Sequence, residues 1–265
     1  MPEEGKTITF NNFPNSARAP FVVYADFEAL VQEYDNLERN ACQATIQYQR
    51  HIACSVGFKI KSSFPQFDEP YHYFHGPNCV RKFIKYMLKF EERAIKHYFN
   101  IKPMEMTAQD ERDFERAVLC HICHKPFEYA IENGYLNKGR DHDHLSGYFR
   151  GAAHARCNIR MRQTVKIPIF FHNFRGYDAH HIVTGLKQFP RGKVKVIGQA
   201  MEKYLTLSLG KYLVFKDSAM FLNTSIETLG KNLKACKEEK KFKLIRDEFP
   251  NMTDEQFNLL LGKQV

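Results

Sequence analysis

The alternation of hydrophobic and polar residues predicts strands in the first part of the chain. Residues 21–26 form a nearly unbroken apolar run that ends at an acid, as in a buried strand, and Pro20 fits its first position. Over residues 52–60 every second residue is apolar, which is the period of a half-buried strand. Residues 71–74 predict a further short strand.

Helical spacing follows these strands. Apolar residues from Val80 to Ile95 recur with the period of a helix, so an amphipathic helix is predicted over about 78–98. A second helix is predicted from Thr107, because Thr-x-x-Asp supplies an N-cap and an early acid. It runs toward Cys120.

The second half of the chain mixes strands and helices. The predicted elements are a strand at 167–171, a helix after Asp178, short strands at 194–197, 204–209 and 212–215, a helix from the capping-box pattern at 224–227 to about 233, and a last helix from 253 to about 262. Strands followed by mixed strands and helices predict a mixed sheet in an α/β or α+β fold, and we take α/β (mixed) as the fold class.

The amino-acid composition indicates which partners and which cellular compartment to expect. Of the 265 residues, 43% are hydrophobic, so the chain can bury a sizeable core, and the net charge of +9 favours a polyanionic partner. Seven cysteines without a secretory signal favour metal binding over disulfides, so we expect a reducing compartment, the nucleus or cytoplasm. No apolar run is long enough to span a bilayer, so no membrane partner is expected.

Acidic residues follow two of the predicted strands. Asp26 and Glu28 are two positions apart on an extended segment, so both side chains point to one face, and Asp178 lies where a later strand turns into a helix. Either motif alone is more typical of strand-end or capping residues. Together they predict a site for Mg²⁺ or Mn²⁺, because carboxylates repel each other unless a cation joins them. Such sites hydrolyse phosphodiesters with two ions.

A second group of metal-ligand residues lies between these acids in the sequence. Cys120-x-x-Cys123 and His154-x-x-Cys157 are two tight pairs, each spaced so that one turn can clamp one ion. Cys₃His sets of this kind hold structural zinc in a tetrahedron. We therefore predict a zinc-binding module inserted at 118–163.

The outer motifs carry a resemblance to a known family. Asp26-Phe-Glu28 resembles the first exonuclease motif of family B DNA polymerases, and the run from His172 to Asp178 resembles the second. The run from Lys216 looks like the segment that follows in protein-primed members. The insert, with its Cys/His pairs and its Arg-Asp-His-Asp-His run, is similar to that of polymerases from self-synthesising transposons of the Polinton or Maverick type and related viruses.

This resemblance covers nearly the whole chain and implies a ribonuclease H-like fold, as in a 3′→5′ proofreading domain. By resemblance, the catalytic residues that bind Mg²⁺ or Mn²⁺ would be Asp26, Glu28 and Asp178. The DNA-binding residues would be His172, Asn173 and Tyr177 at the 3′-terminal nucleotides and Ser218 on single-stranded DNA. The implied partners are single-stranded 3′ ends, primer–template DNA and a terminal protein primer.

The chain departs from the family at the third exonuclease motif, Tyr-x-x-x-Asp. That motif supplies a further carboxylate and a tyrosine that orients the water, whereas Tyr212 and Asp217 are one residue too far apart to match it. We therefore expect a truncated exonuclease fold with impaired activity, with parts at 1–117 and 164–265 on either side of the insert. The chain would be a fragment of a longer polymerase or a degenerate transposon-derived protein.

The Asp-His-Asp-His run at 141–144, together with Asn158, resembles His-Asn-His nucleases of the recombination endonuclease VII type, in which a zinc knuckle holds a ββα hairpin. By that resemblance Asp141 and Asn158 would hold one Mg²⁺, and His142 would be the general base. That family usually has an acid where this chain has Met161. An inactive DNA-binding module is therefore an equal alternative.

The function predicted from the sequence is that of a 3′→5′ exonuclease-like domain of a protein-primed family B DNA polymerase. It would hydrolyse DNA phosphodiesters with two Mg²⁺ or Mn²⁺ ions. Two alternatives stay open. Chemistry in the inserted module would make the chain a DNA endonuclease, and loss of chemistry at both sites would leave a non-catalytic DNA-binding protein.

Overall fold

The computed structural model describes residues 18–33, 49–127, 137–144, 146–160, 165–186, 194–200, 203–236 and 242–261. The chain divides into two compact units. The sheet unit comprises Pro20–Glu91 and Lys166–Val265, and the knuckle unit comprises Met1–Ala19 and Glu92–Val165. Within the knuckle unit, the segment 102–116 contacts the segment 139–153.

Nine strands and seven helices are found in the described residues. In chain order the strands are β1 (Phe21–Glu33), β2 (Gln49–Ser62), β3 (His72–His75), β4 (Gly139–His142), β5 (Phe149–Ala153), β6 (Ile167–Phe171), β7 (Val194–Ala200), β8 (Lys203–Leu209) and β9 (Leu213–Asp217). The helices are α1 (Cys79–Tyr98), α2 (Ala108–Arg116), α3 (Ala155–Arg160), α4 (Asp178–Leu186), α5 (Ile226–Ala235), α6 (Lys243–Glu248) and α7 (Asp254–Leu261). The fold is therefore mixed α/β, as predicted.

The sheet unit contains a seven-stranded sheet with the order β3-β2-β1-β6-β9-β8-β7. Strands β1, β6 and β9 are parallel neighbours, and the other neighbouring pairs are antiparallel. The ladder between β1 and β6 comprises Val23 and Tyr24, whereas β1 stays paired with β2 as far as Glu33. The sheet therefore opens between β1 and β6 just beyond Tyr24, beside Asp26.

Aromatic side chains join α1 to one face of this sheet. Phe83 of α1 contacts Phe27, Phe58 and Phe171, with ring centroids 5.8, 5.3 and 6.1 Å apart. These rings meet at steep angles, the arrangement that aromatic pairs prefer. Helix α4 approaches α1 closely at Gly185, where a Cβ atom would overlap a side chain of α1. The face opposite this core carries the acids of β1.

Local helix signals were mostly predictive. Thr107 caps α2, as predicted, and it also forms a reciprocal capping box with Asp110. The predicted start of α5 is wrong by one residue, because the hydroxyl of Ser225 caps it. Thr224 stays outside the helix, where its carbonyl accepts a hydrogen bond from His172.

Most of the remaining elements lie close to their predicted positions, but β1 continues to Glu33, beyond its predicted end at residue 26, and β9 ends at Asp217 and not at 215. Helix α6 was not predicted, and the predicted helix end at Gly262 lies outside the described residues. In the described part of the chain, every helix is too short or too polar to cross a membrane.

The packing of α1 predicts the effect of removing its central ring. Phe83→Ala is expected to lower the free energy of unfolding by about 3–5 kcal/mol, because it removes a fully buried ring and leaves a cavity. Tyr73→Ala, at a side chain that is 66% exposed, should change it by less than about 0.5 kcal/mol. Urea unfolding measures both, and equal effects would contradict the described core.

Candidate functional site

A metal-ligand cluster forms in the knuckle unit. Cys120, Cys123, His154 and Cys157 each offer one ligand atom, and these atoms all lie within 4.8 Å of one another. The Nδ1 atom of His154 lies 3.4 Å from the sulfur of Cys123 and 3.9 Å from that of Cys157. This Cys₃His set fits a metal ion such as zinc, in agreement with the prediction.

Hydrogen bonds favour the metal-binding forms of two of these ligands, His154 and Cys120. The Nε2 atom of His154 lies 3.0 Å from the carbonyl oxygen of Pro126, so Nε2–H donates there and Nδ1 is left as the metal-binding atom. Burial opposes ionisation of Cys120, but hydrogen bonds from the backbone N–H groups of Cys123 and His154 lower the pKa of its thiol to about 6. A thiolate is the form that binds a metal.

The Asp-His-Asp-His run lies in the same unit as this cluster. Its first acid, Asp141, is already bound by other side chains of the protein. Asp141 is completely buried, and Arg150 donates to both of its oxygens at 3.0 and 2.7 Å. His121 lies 2.9 Å from the same carboxylate. Burial raises the pKa of Asp141, but the hydrogen bonds from His121 and Arg150 outweigh it and hold that pKa below its usual value.

These contacts disagree with a Mg²⁺ site at Asp141 and Asn158. Asp141 has both oxygens in an ion pair, and the side chain of Asn158 donates to the carbonyl of Arg140 at 3.3 Å. His142 stacks on His144, with ring centroids 4.7 Å apart. Met161, which replaces the further acid of that family, lies outside the described residues. The buried ion pair supports the hairpin of β4 and β5, so we assign Asp141 a structural role.

The predicted acids of the sheet unit lie where β1 separates from β6. Asp26 and Glu28 alternate with the buried Phe27, so both point away from the aromatic core. Asp26 is exposed at the surface, but partial desolvation, followed by the charge of Glu28, raises its pKa. His172 lies close enough to oppose that rise. We call the region around Asp26, Glu28 and Asp178 the acid pocket.

Asp178 is the most unusual residue of the acid pocket. Its side chain begins α4 and is only 2% exposed, yet its Oδ1 atom has no hydrogen-bond partner among the described residues. Burial and the negative charge of Asp26 raise the pKa of Asp178 to about 7. A buried polar atom without a partner is costly, which is how a site for an external ligand or cation behaves.

Glu28 acts electrostatically on Asp26, and Asp26 acts on Asp178, but these acids are not drawn together as tightly as the Cys₃His ligands. Among the described residues, they do not form a second cluster with all ligand atoms in mutual contact. The electrostatic effect of Asp26 on Asp178 nevertheless places the two carboxylates in one environment. Mutual repulsion keeps carboxylates apart until a cation neutralises them.

Two of the predicted DNA-binding residues, Tyr177 and His172, lie close enough to the acids to interact with their charges. Tyr177 has its hydroxyl 2.9 Å from Nδ1 of His51, and burial followed by the charge of Asp178 raises its pKa. His172 is held on both ring nitrogens, by Ser218 at 3.0 Å and by a backbone carbonyl at 2.7 Å. Asn173 is exposed, with a φ of 61° that asparagine tolerates better than most residues.

Asp217 is a residue of this region that the sequence did not assign to the site. Its buried carboxylate accepts the backbone N–H groups of Arg175 at 3.1 Å and Ala219 at 3.0 Å, and it pairs with the Arg175 guanidinium. It thereby holds the turn that leads into Asp178, and its charge contributes to the raised pKa of Asp178. In the sequence, Asp217 appeared only as a mismatch to the third exonuclease motif, two residues beyond the predicted strand at 212–215.

The Cys₃His cluster predicts one bound zinc ion per chain. Cys157→Ser should lose this zinc and lower the thermal unfolding temperature, because a structural zinc contributes its binding energy to folding. The exposed Cys236 provides a matched control, and Cys236→Ser should retain the metal. Elemental analysis and calorimetry measure both outcomes; equal zinc contents would refute the site.

The raised pKa of Asp178 predicts a pH-dependent stability. The fold shifts this pKa from 3.8 to about 7, so between these values the folded state keeps a proton that the unfolded state releases. The free energy of unfolding should therefore fall as pH rises across this window. Without added Mg²⁺ or Mn²⁺, Asp178→Asn should remove this decline and stabilise the protein at pH 8 by about 2–4 kcal/mol.

The control is Glu33→Gln, an exposed acid on the same strand as Asp26. Urea unfolding from pH 4 to 8 compares the three proteins. Parallel curves for the wild type and Asp178→Asn would mean that Asp178 is not held protonated by the fold.

Comparisons with known proteins identify no relative of this chain. No protein-family model matches the chain, and no curated protein or solved structure matches it significantly.

Proposed function

We propose that the sheet unit is a metal-dependent phosphodiesterase that acts on DNA 3′ ends, in the manner of the 3′→5′ exonuclease domain of family B polymerases. The observation that supports this most directly is the buried Oδ1 of Asp178, which has no partner and lies in the same environment as Asp26. A divalent cation would satisfy this oxygen and remove the repulsion between the two acids.

The proposed ribonuclease H-like fold is supported by where the acids sit. Strands β1, β6 and β9 run parallel side by side, so their C-terminal portions meet at one region of the sheet. Asp26 lies on the first strand, Asp178 follows the second, and Asp217 ends the third. Two-ion phosphodiester hydrolysis needs carboxylates gathered from separate strands in this way.

The residues of the acid pocket divide the work of the reaction. Asp26, Glu28 and Asp178 would hold Mg²⁺ or Mn²⁺, which when bound supplies an activated water and stabilises charge on the leaving oxygen. Asp217 fixes the turn before Asp178 and so holds that carboxyl in place. The His51–Tyr177 pair presents aromatic edges beside the acids, suited to a terminal nucleotide.

The overall charge fits a nucleic-acid substrate. A net charge of +9 attracts a polyanion, while the acid pocket itself is negative and accepts a phosphodiester only together with cations. This combination favours binding of DNA along the surface and metal-dependent chemistry at one point. We assign structural zinc to the Cys₃His cluster, and the internal ion pair of Asp141 argues against cleavage by the knuckle unit.

Nuclease assays test this proposal. With Mn²⁺, the protein is expected to shorten 5′-labelled single-stranded DNA from its 3′ end and to leave closed circular DNA intact. Asp26→Asn should lower the rate by about 100-fold or more, because metal-binding geometry is lost. The matched change in the other unit, His142→Ala, should leave the rate unchanged.

Other outcomes identify the alternatives. Cleavage of circular DNA that survives Asp26→Asn and disappears in His142→Ala would assign catalysis to the knuckle unit. Salt-sensitive DNA binding without any cleavage would show a DNA-binding protein and reject the proposed enzyme.

A further inference from the structure

The side chain of Tyr71 lies over strand β2, next to the acid pocket. Tyr71 comes just before β3, and its ring lies over Gly57 of β2. Gly57 is the partner of Asp26 in the ladder between β1 and β2. A Cβ atom on Gly57 would overlap the hydroxyl of Tyr71, so only glycine leaves room for the phenol here.

Electrostatic effects place the phenol close to two acids. Burial, followed by the charges of Asp26 and Glu28, raises the pKa of Tyr71. A tyrosine phenol is protonated at neutral pH, so it is an uncharged hydrogen-bond donor. Tyr71 is 43% exposed, and its hydroxyl lies over Gly57, directly opposite Asp26 in the strand ladder.

The C-terminal part of the sheet unit fixes Tyr71 without using its hydroxyl. Glu248 of α6 accepts the backbone N–H of Tyr71 and pairs with the ammonium group of Lys59. The ring of Phe249 packs edge-on against that of Tyr71, with centroids 5.8 Å apart. The backbone and ring of Tyr71 are thus held from outside, and its hydroxyl is left for a ligand.

We propose that the Tyr71 hydroxyl is a substrate-contacting group of the acid pocket, which donates a hydrogen bond to a phosphate oxygen of the nucleotide bound there. This inference rests on the proposed function, because it assumes a nucleotide phosphate at Asp26, Glu28 and Asp178. A neutral donor suits this position, since it binds an anionic oxygen without competing with the cations for the carboxylates.

Product binding tests this contact without requiring turnover. The probe is thymidine 5′-monophosphate in the presence of Mn²⁺, with affinity measured by titration calorimetry. Tyr71→Phe keeps the ring on Phe249 and the backbone bond to Glu248, and removes only the hydroxyl. We expect roughly 10-fold weaker binding, the effect of one hydrogen bond to a charged group, with an unchanged unfolding temperature.

Two further variants make the test specific. Gly57→Ala should weaken binding to a similar extent, because the new methyl group displaces the hydroxyl while the acids stay in place. Tyr73→Phe changes an exposed neighbouring tyrosine and should bind as the wild type does.

The outcomes separate this inference from the proposed function. Wild-type affinity in Tyr71→Phe, or no binding of the nucleotide by the wild type, would overturn the role of Tyr71. Asp26-dependent DNA cleavage with wild-type affinity in Tyr71→Phe would reject the inference while the proposed function stands. Weaker binding in Tyr71→Phe, without DNA cleavage by the wild type, would support the contact and reject the exonuclease.

Discussion

The carboxyl of Asp178 has to be buried beside a second acid without a hydrogen-bond donor for its Oδ1 atom, and the rest of the sheet unit can be understood around that constraint. Backbone hydrogen bonds at Phe27 and Asp178 favour the charged form of this carboxyl, but burial and the charge of Asp26 outweigh them and raise its pKa to about 7. A divalent cation is the alternative, since it lets both acids stay ionised. The fold thus stores an unfavourable arrangement that a metal ion would relieve.

Asp141 provides the internal comparison. Both aspartates are buried, but Asp141 receives two hydrogen bonds from Arg150 and one contact from His121, so its pKa falls although burial opposes this. For Asp178, burial and the charge of Asp26 raise the pKa instead. The same residue type is therefore a structural anion in the knuckle unit and an unsatisfied group in the sheet unit. This difference, more than the presence of acids, distinguishes the two candidate nuclease sites.

Patterns within short stretches of sequence predicted much of the fold. The period of apolar residues located α1, a local capping box located the start of α2, and paired Cys/His spacing located the metal-ligand cluster. Contacts between distant residues were not predictable in this way. The partner of Asp141 is set by the hairpin register, and the approach of Tyr71 to Asp26 depends on a missing side chain at Gly57. A sequence motif identifies the acids, but the residues that surround each acid are determined by the pairing of distant strands.

The most direct test of the account is the position of bound Mn²⁺ in crystals of the protein, located by anomalous scattering. The account predicts Mn²⁺ in direct coordination with Asp178 and Asp26, and its loss in crystals of Asp178→Asn. A map with Mn²⁺ at Asp141 and Asn158, or with none at the acid pocket under saturating Mn²⁺, would contradict it.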